Sequence, residues 1–178
     1  MINEYSVSPK PSNRKAIYVS FLSFAITVVL VALYSSIELY RGIVGVFALI
    51  FLTVGIFIFT KYIGPKMYYE IMIDSDGVPL LIVRDVIGKR GTTYSRVELH
   101  TIVSAEKLEG DSLKRFKCKE GFTKFTYSPT FMPDSLYCFN IVSRYEKAHV
   151  LLEVSDEFAS LLMKYAEEAK SMVIDDAE

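Results

Sequence analysis

The densest run of chemistry-bearing side chains in this 178-residue sequence is Lys114-Arg-Phe-Lys-Cys-Lys-Glu-Gly-Phe-Thr-Lys124. It carries the cations Lys114, Arg115, Lys117, Lys119 and Lys124, with Phe116 and Phe122 set between them. Such a segment suits an anionic surface, either lipid headgroups or a protein partner. Beside anionic lipid each basic side chain can contribute about 1 kcal/mol. The plainer alternative is a solvated loop that offsets an acidic domain. Lys89, Arg90 and Arg96 would extend the patch if the fold gathers these loops.

No other group of residues points to a reaction. His100 and His149 stand alone in sequence, and a metal site needs converging ligands. Cys118 and Cys138 form no C-x-x-C motif and read as reduced thiols of a cytoplasmic chain. Ser128, Ser135 and Ser143 lack the flanking glycines of a nucleophile elbow, and there is no phosphate-binding loop or pair of facing carboxylates. The expectation is a non-enzymatic protein with no catalytic residue, no cofactor and no metal. Residues 1–63 hold five basic and two acidic side chains, the remainder fifteen and nineteen. An acidic second part argues against nucleic acid as a partner.

These residues follow two apolar runs that dominate the first third of the chain. Ala16–Tyr34 carries no charge, proline or glycine, and Ile43–Thr60 carries no charge, with apolar character continuing to Ile63. About 20 such residues cross a hydrocarbon core of about 30 Å. Thirteen Leu, Ile, Phe and Val residues between Ile43 and Phe59 favour insertion by roughly 4 to 8 kcal/mol. A buried hairpin of a soluble protein would show a polar stripe, and neither run has one. The prediction is a two-helix transmembrane hairpin over residues 16–63, with helices at 16–34 and 43–63. A cleaved signal peptide is the rival for the first run, which is long for that role and has no clear cleavage site after it.

Lys10, Arg14 and Lys15 precede the hairpin and Lys61 and Lys66 follow it, against Arg41 alone in the link. The excess of cations at both outer ends predicts that both termini are cytoplasmic in a multi-pass cell-membrane protein. Ser20, Ser23, Thr27, Gly45, Ala48 and Gly55 suit close helix contact, within one hairpin or between copies, so a homo-oligomer stays open. A channel or transporter subunit with a polar seam of Ser20, Ser23, Thr27 and Thr53 is the alternative function. The absence of ionisable residues inside the runs weighs against it.

Residues 1–15 read as a polar cytoplasmic tail, disordered to Asn13. Gly64-Pro65 ends the second helix. Strands are predicted at 67–74, 80–84, near 92–94, after a bend at 99, at 123–127, at 136–143 and at 148–154. Ser75-Asp-Gly77 and Arg144–Lys147 are turns, and 111–121 is a loop or one helical turn. The loop Pro129–Pro133 offers Phe131 and Met132, either as an apolar tip or folded over a sheet end. Ser155 is an N-cap with Asp156 and Glu157 behind it. The helix that follows places Phe158, Leu161, Leu162, Tyr165, Ala169 and Met172 on one stripe. An acidic tail, 173–178, closes the chain.

The fold class is thus α+β: a helical hairpin, then a mostly antiparallel sandwich or half-barrel plugged by a C-terminal amphipathic helix. With its Asp76-Gly77 hairpin, its Leu99-x-x-Ile102-x-Ser104 stretch and its closing hairpin into the Ser155 helix, the segment 64–172 resembles bacterial pleckstrin-homology-like membrane proteins. That resemblance implies a membrane-proximal binding or assembly module, partnered by the lipid bilayer and a protein. It brings no catalytic residues. Relatives that bind inositol phosphates use basic residues around the first hairpin, which here is the acidic Ser75-Asp-Gly-Val-Pro79, so that role is not carried over.

Overall fold

A computed structural model of the chain describes residues 4–9, 13–36, 38, 40–144 and 146–175, with side chains described to 172. Three residues of the expected acidic tail, 176–178, lie outside these, as do Ile37 and Leu39 of the link and Tyr145 of the last turn. The chain forms two compact units: residues 1–10, 66–129 and 133–178 make one, and residues 11–65 with 130–132 make the other.

The helical unit is a pair, α1 (Arg14–Ser36) and α2 (Arg41–Ile58), followed by a π-helical turn at Phe59–Ile63. Both helices are long and apolar enough to cross a membrane, with mean hydropathy 2.5 and 2.7. Small residues bring them together. The buried Ser20 hydroxyl donates to the Gly55 carbonyl across the pair at 3.1 Å. A Cβ on Gly55 would meet Phe24 at 3.0 Å, and one on Gly45 would meet Tyr34 at 3.3 Å. Ser23, Thr27 and Thr53 satisfy their hydroxyls on carbonyls one turn back in their own helices. Phe21, Leu22, Val28, Leu49 and Phe57 face outward, each more than half exposed. Of the 130–132 segment, Phe131 sets its ring edge-to-face with Tyr62 of the π-helical turn at 5.2 Å, where a sheet end was the expected seat, and Met132 stays exposed.

The β-rich unit has two four-stranded sheets and a terminal helix. One sheet runs in the order β1 (Tyr5–Val7), β2 (Lys66–Ile73), β3 (Pro79–Ile87), β4 (Arg90–Glu98), all antiparallel. The other contains β5 (Ile102–Glu109), β6 (Thr123–Tyr127), β7 (Ser135–Val142) and β8 (Lys147–Leu152), in the order β5-β7-β8-β6. There β6 runs parallel to β8, and the other joins are antiparallel. Gly77, at φ +80°, supplies the left-handed residue of the β2–β3 turn, and its N–H donates to the Asp74 carbonyl. A 3-10 turn at Leu99–Thr101 carries the chain from the first sheet to the second.

The sequence expectation fails at the N-terminus. Tyr5–Val7 is a strand, not part of a disordered tail, and it pairs with β2 in the register Tyr5↔Ile71 to Val7↔Tyr69. Its partner lies some sixty residues away, so no local pattern signals it. Strict alternation also fails in β2, where Ile73 is exposed and Glu70 is buried. Glu70 is tolerated because Arg84 pairs with it at 2.6 Å and the Ser6 hydroxyl donates to it at 3.1 Å.

The core joins both sheets and the last helix, α4 (Asp156–Asp175). Tyr69, Ile71, Leu81, Val83, Leu99, Ile102, Phe139, Val150 and Leu152 lie in it, together with Phe158, Leu162 and Ala166. Tyr69 crosses it: its hydroxyl donates to the Tyr127 carbonyl at 2.7 Å and accepts the Glu153 N–H at 3.4 Å. Burial pushes this phenol far above its ordinary pKa. Ser155 caps α4 as expected, its hydroxyl accepting the Phe158 N–H at 3.3 Å. The buried stripe differs in part. Ala159 and Ala166 are in the core, Leu161 is partly buried, and Met172 is exposed.

Because Leu162 is fully buried and Lys164 is exposed, truncating them separates core from surface. Leu162→Ala should destabilise the β-rich unit by about 2 to 5 kcal/mol, while Lys164→Ala, whose partner Glu168 is 3.9 Å away, should have little effect. Denaturation midpoints of the full chain in mild detergent check both.

Candidate functional site

The basic segment begins in α3 (Gly110–Arg115), a short helix started by Glu109 and Ser112 in a reciprocal capping box. Gly110, at φ +51°, makes the turn into it. From Phe116 the chain loops to β6. Leu113 and Phe116 pack on a second small core of Leu108, Leu136, Cys138 and Leu151. This core lies on the outer face of the second sheet, because period-2 alternation sends Ala148, Val150 and Leu152 inward and His149 and Leu151 outward. The segment is therefore a lid on that face. Its aromatic residues point down and are anchors of the lid, a role their spacing in the sequence does not disclose.

His149 is the centre of the lid's underside and is 1% exposed. Phe122 stacks on its ring with centroids 4.5 Å apart, and Phe116 meets it edge-on at 5.5 Å. The Lys119 backbone N–H donates to Nε2 at 3.4 Å. Nε2 is thus an acceptor, so the proton sits on Nδ1, 2.6 Å from Asn140 Oδ1. Asn140 in turn donates to Ser104 Oγ at 2.7 Å. Burial, and then the nearby Lys119 charge, hold the imidazole below its ordinary pKa. Cys138 is buried beside it, 3.8 Å from Nδ1, and burial pushes its thiol up to about 11. Cys118 stays exposed and donates to the Phe122 carbonyl.

All five predicted cations, Lys114, Arg115, Lys117, Lys119 and Lys124, are exposed, and among the described residues none of them forms a salt bridge. Lys124 lays its ammonium over the Phe116 ring at 5.2 Å and sits opposite His149 in the β6–β8 register. Lys89 and Arg90, by contrast, sit at the β3–β4 turn, and Arg96 lies on β4 in the other sheet.

A second feature was missed by sequence reasoning: an open cleft of about 790 Å³ between β4 and the β6–β8 side of the second sheet. Tyr94, Arg96, Phe125, Tyr127, Ile141 and Arg144 are among its walls. Tyr94 is the extra residue of a β-bulge, since Val83 pairs with Ser95 and Arg84 with Thr93. The bulge aims its ring at Tyr127, 6.1 Å away, and its hydroxyl at the buried Asp85, 2.6 Å away. That hydrogen bond to a carboxylate raises the Tyr94 pKa to about 12. A bulge breaks alternation, so periodicity could not have assigned Tyr94 to this role.

His100 sits on the 3-10 turn 3.5 Å from Glu98, apart from His149. Ser128 donates to Glu153, and Ser143 accepts the Glu146 N–H within its turn. Among the described residues no three His, Cys, Asp or Glu side chains converge as metal ligands would. Compared with family models, with curated proteins and with solved structures, the chain finds no match.

The lid's seal can be read at Cys138. In a Cys118→Ser background, Cys138 should react slowly with a thiol reagent, being buried and mostly protonated. Phe116→Ala should raise the rate by about tenfold or more by unsealing the outer core; timed alkylation followed by mass spectrometry measures it.

Proposed function

We propose that this chain is a membrane-anchored, non-enzymatic binding module that presents a pleckstrin-homology-like domain at the cytoplasmic face of the cell membrane. The observation that carries this reading is the pairing of β1 with β2. One strand precedes the apolar hairpin and the other follows it, so the segments at its two ends belong to a single sheet. A hairpin with two crossings fits that requirement, and a single crossing does not. The cations at both outer ends assign that side to the cytoplasm. Two sheets closed by a terminal helix support the pleckstrin-like reading, although the parallel β6–β8 join departs from an all-antiparallel sandwich.

The exposed cations of the lid segment, free of salt bridges among the described residues, supply the recognition chemistry. Their ligand is anionic phosphate presented by lipid headgroups, and a protein partner assembles on the same membrane-anchored domain. Each side chain contributes about 1 kcal/mol when near an anionic leaflet, less as salt rises. Of the four seam residues Thr27 is half-buried and Thr53 exposed, each hydroxyl bonding within its own helix. Ser20 and Ser23 are buried, Ser20 bonding across the helix pair and Ser23 within its own helix. That leaves them unsuited to line a pore and supports the module over the channel reading.

Topology is checked by cysteine labelling in a background lacking Cys118 and Cys138. An impermeant reagent on intact cells should modify Ser36→Cys and leave Ser171→Cys untouched; labelling of the second position would overturn the orientation. For the lid, an environment-sensitive dye on Cys118, with Cys138 replaced by serine, should shift to shorter wavelength when neutral nanodiscs are exchanged for phosphatidylserine ones. Replacing the five cations with serine should abolish the shift. An unchanged spectrum in both lipids would remove the lid from the lipid-contact role.

A further inference from the structure

We propose that His149 is a proton-operated latch for the basic lid: neutral, it pins Lys119 and keeps residues 116–122 closed on the outer face of the second sheet, and protonated, it lets them go. Only the consequence for lipid contact rests on the reading above; the latch itself stands on the geometry beneath the lid.

Both ring nitrogens are committed. Nδ1 faces Asn140 Oδ1, fixed by the further bond to Ser104, and Nε2 accepts the Lys119 N–H. A second proton on Nε2 would convert the acceptor into a donor facing a donor. The bond to Lys119 could not survive it, and a buried group left unpaired favours opening. Lys119 sits in the middle of the loop, and its carbonyl also takes the Phe122 N–H. Loss of this attachment leaves residues 116–122 held by the packing of Phe116 and Phe122 alone, which weakens their closure.

The surrounding charges act in the same direction. The lid contributes Lys117, Lys119 and Glu120, with the Cys118 thiol; β6 contributes Lys124, and β8 contributes Lys147 two residues before the histidine. From β7 comes the Cys138 thiol, and from β5 Glu106, which pairs with Cys138 in register. Of these, the Lys119 charge acts directly on the ring, and Lys124 lies opposite it in register. The Phe122 face would attract an imidazolium, but burial and Lys119 outweigh it, and the pKa lies below the ordinary value. A base depressed in the folded state binds more protons unfolded, so stability rises with pH through the window between the two values. The latch is fully closed above the ordinary histidine value of about 6.5. It weakens as pH falls from there through the lower folded value, and loses nothing further below.

The test uses the full chain in phosphatidylcholine nanodiscs, where anionic lipid plays no part. Amide hydrogen exchange of residues 116–122, corrected for intrinsic rates, is compared at about pH 7.5 and about pH 5. The wild-type lid should lose protection by about tenfold or more. His149→Gln, which can keep an acceptor toward Lys119 and does not titrate, should show no such change. Should that variant fail to fold, titration of the labelled His149 ring by NMR in the wild type decides alone. Its midpoint should fall below about 6.5, and the loss of lid protection should run between about 6.5 and that midpoint. Lid protection that ignores pH, or is lost outside that window, would overturn the latch. Failure of the lid to respond to phosphatidylserine would instead remove the lipid reading and leave the latch standing.

Discussion

The structure depends on one contact of long sequence separation: the pairing of Tyr5–Val7 with Tyr69–Ile71. Three residues of strand are a small element, and alone they would not hold. They hold because each anchors elsewhere as well. Tyr5 stacks on Phe158 with centroids 5.9 Å apart, Ser6 donates to the buried Glu70, and Val7 packs on the main core. Closing so long a loop has an entropic cost that grows only slowly with its length. In the proposed membrane setting that cost is lowered further, since two paired helices already hold the loop's ends in a narrow range.

Two buried polar systems show how the β-rich unit tolerates polar groups inside. Glu70 is accommodated because a guanidinium and a hydroxyl replace its water, and Tyr69 keeps its hydroxyl because it both donates and accepts. In each case the partner is a different strand or turn, so the polar group fixes register as well as satisfying itself. His149 belongs to the same class with one difference. Its partners are set by a tautomer, and a tautomer responds to protons.

At the N-terminus of α4, Lys107 bridges Glu109 and Asp156 at 2.8 and 2.9 Å, and the Tyr137 hydroxyl donates to Asp156. The hydrogen bond from Lys107, followed by that from Tyr137, holds the Asp156 carboxyl below its ordinary pKa. These groups are exposed, so their value lies in aiming the helix more than in stabilising it. A helix aimed this way lays Phe158, Leu162 and Ala166 across the core shared by the two sheets.

By itself the sequence determined what depends on local pattern. Long uncharged runs defined the helix pair, alternation defined most strands, and Ser155 with its acidic neighbours defined the start of α4, because those signals act within a turn or a strand. It also located the five cations. What those cations surround was decided only by tertiary structure. Phe116 and Phe122 read as companions of the basic residues, yet packing turns them onto His149. The isolated His149 acquires its partners from β7 and from a loop thirty residues away. Tyr94 is re-aimed by a bulge, which exists only relative to a partner strand, and β1 exists only because β2 is there to receive it. Side-chain chemistry is written locally, but partnership depends on register, and register is settled when distant strands meet.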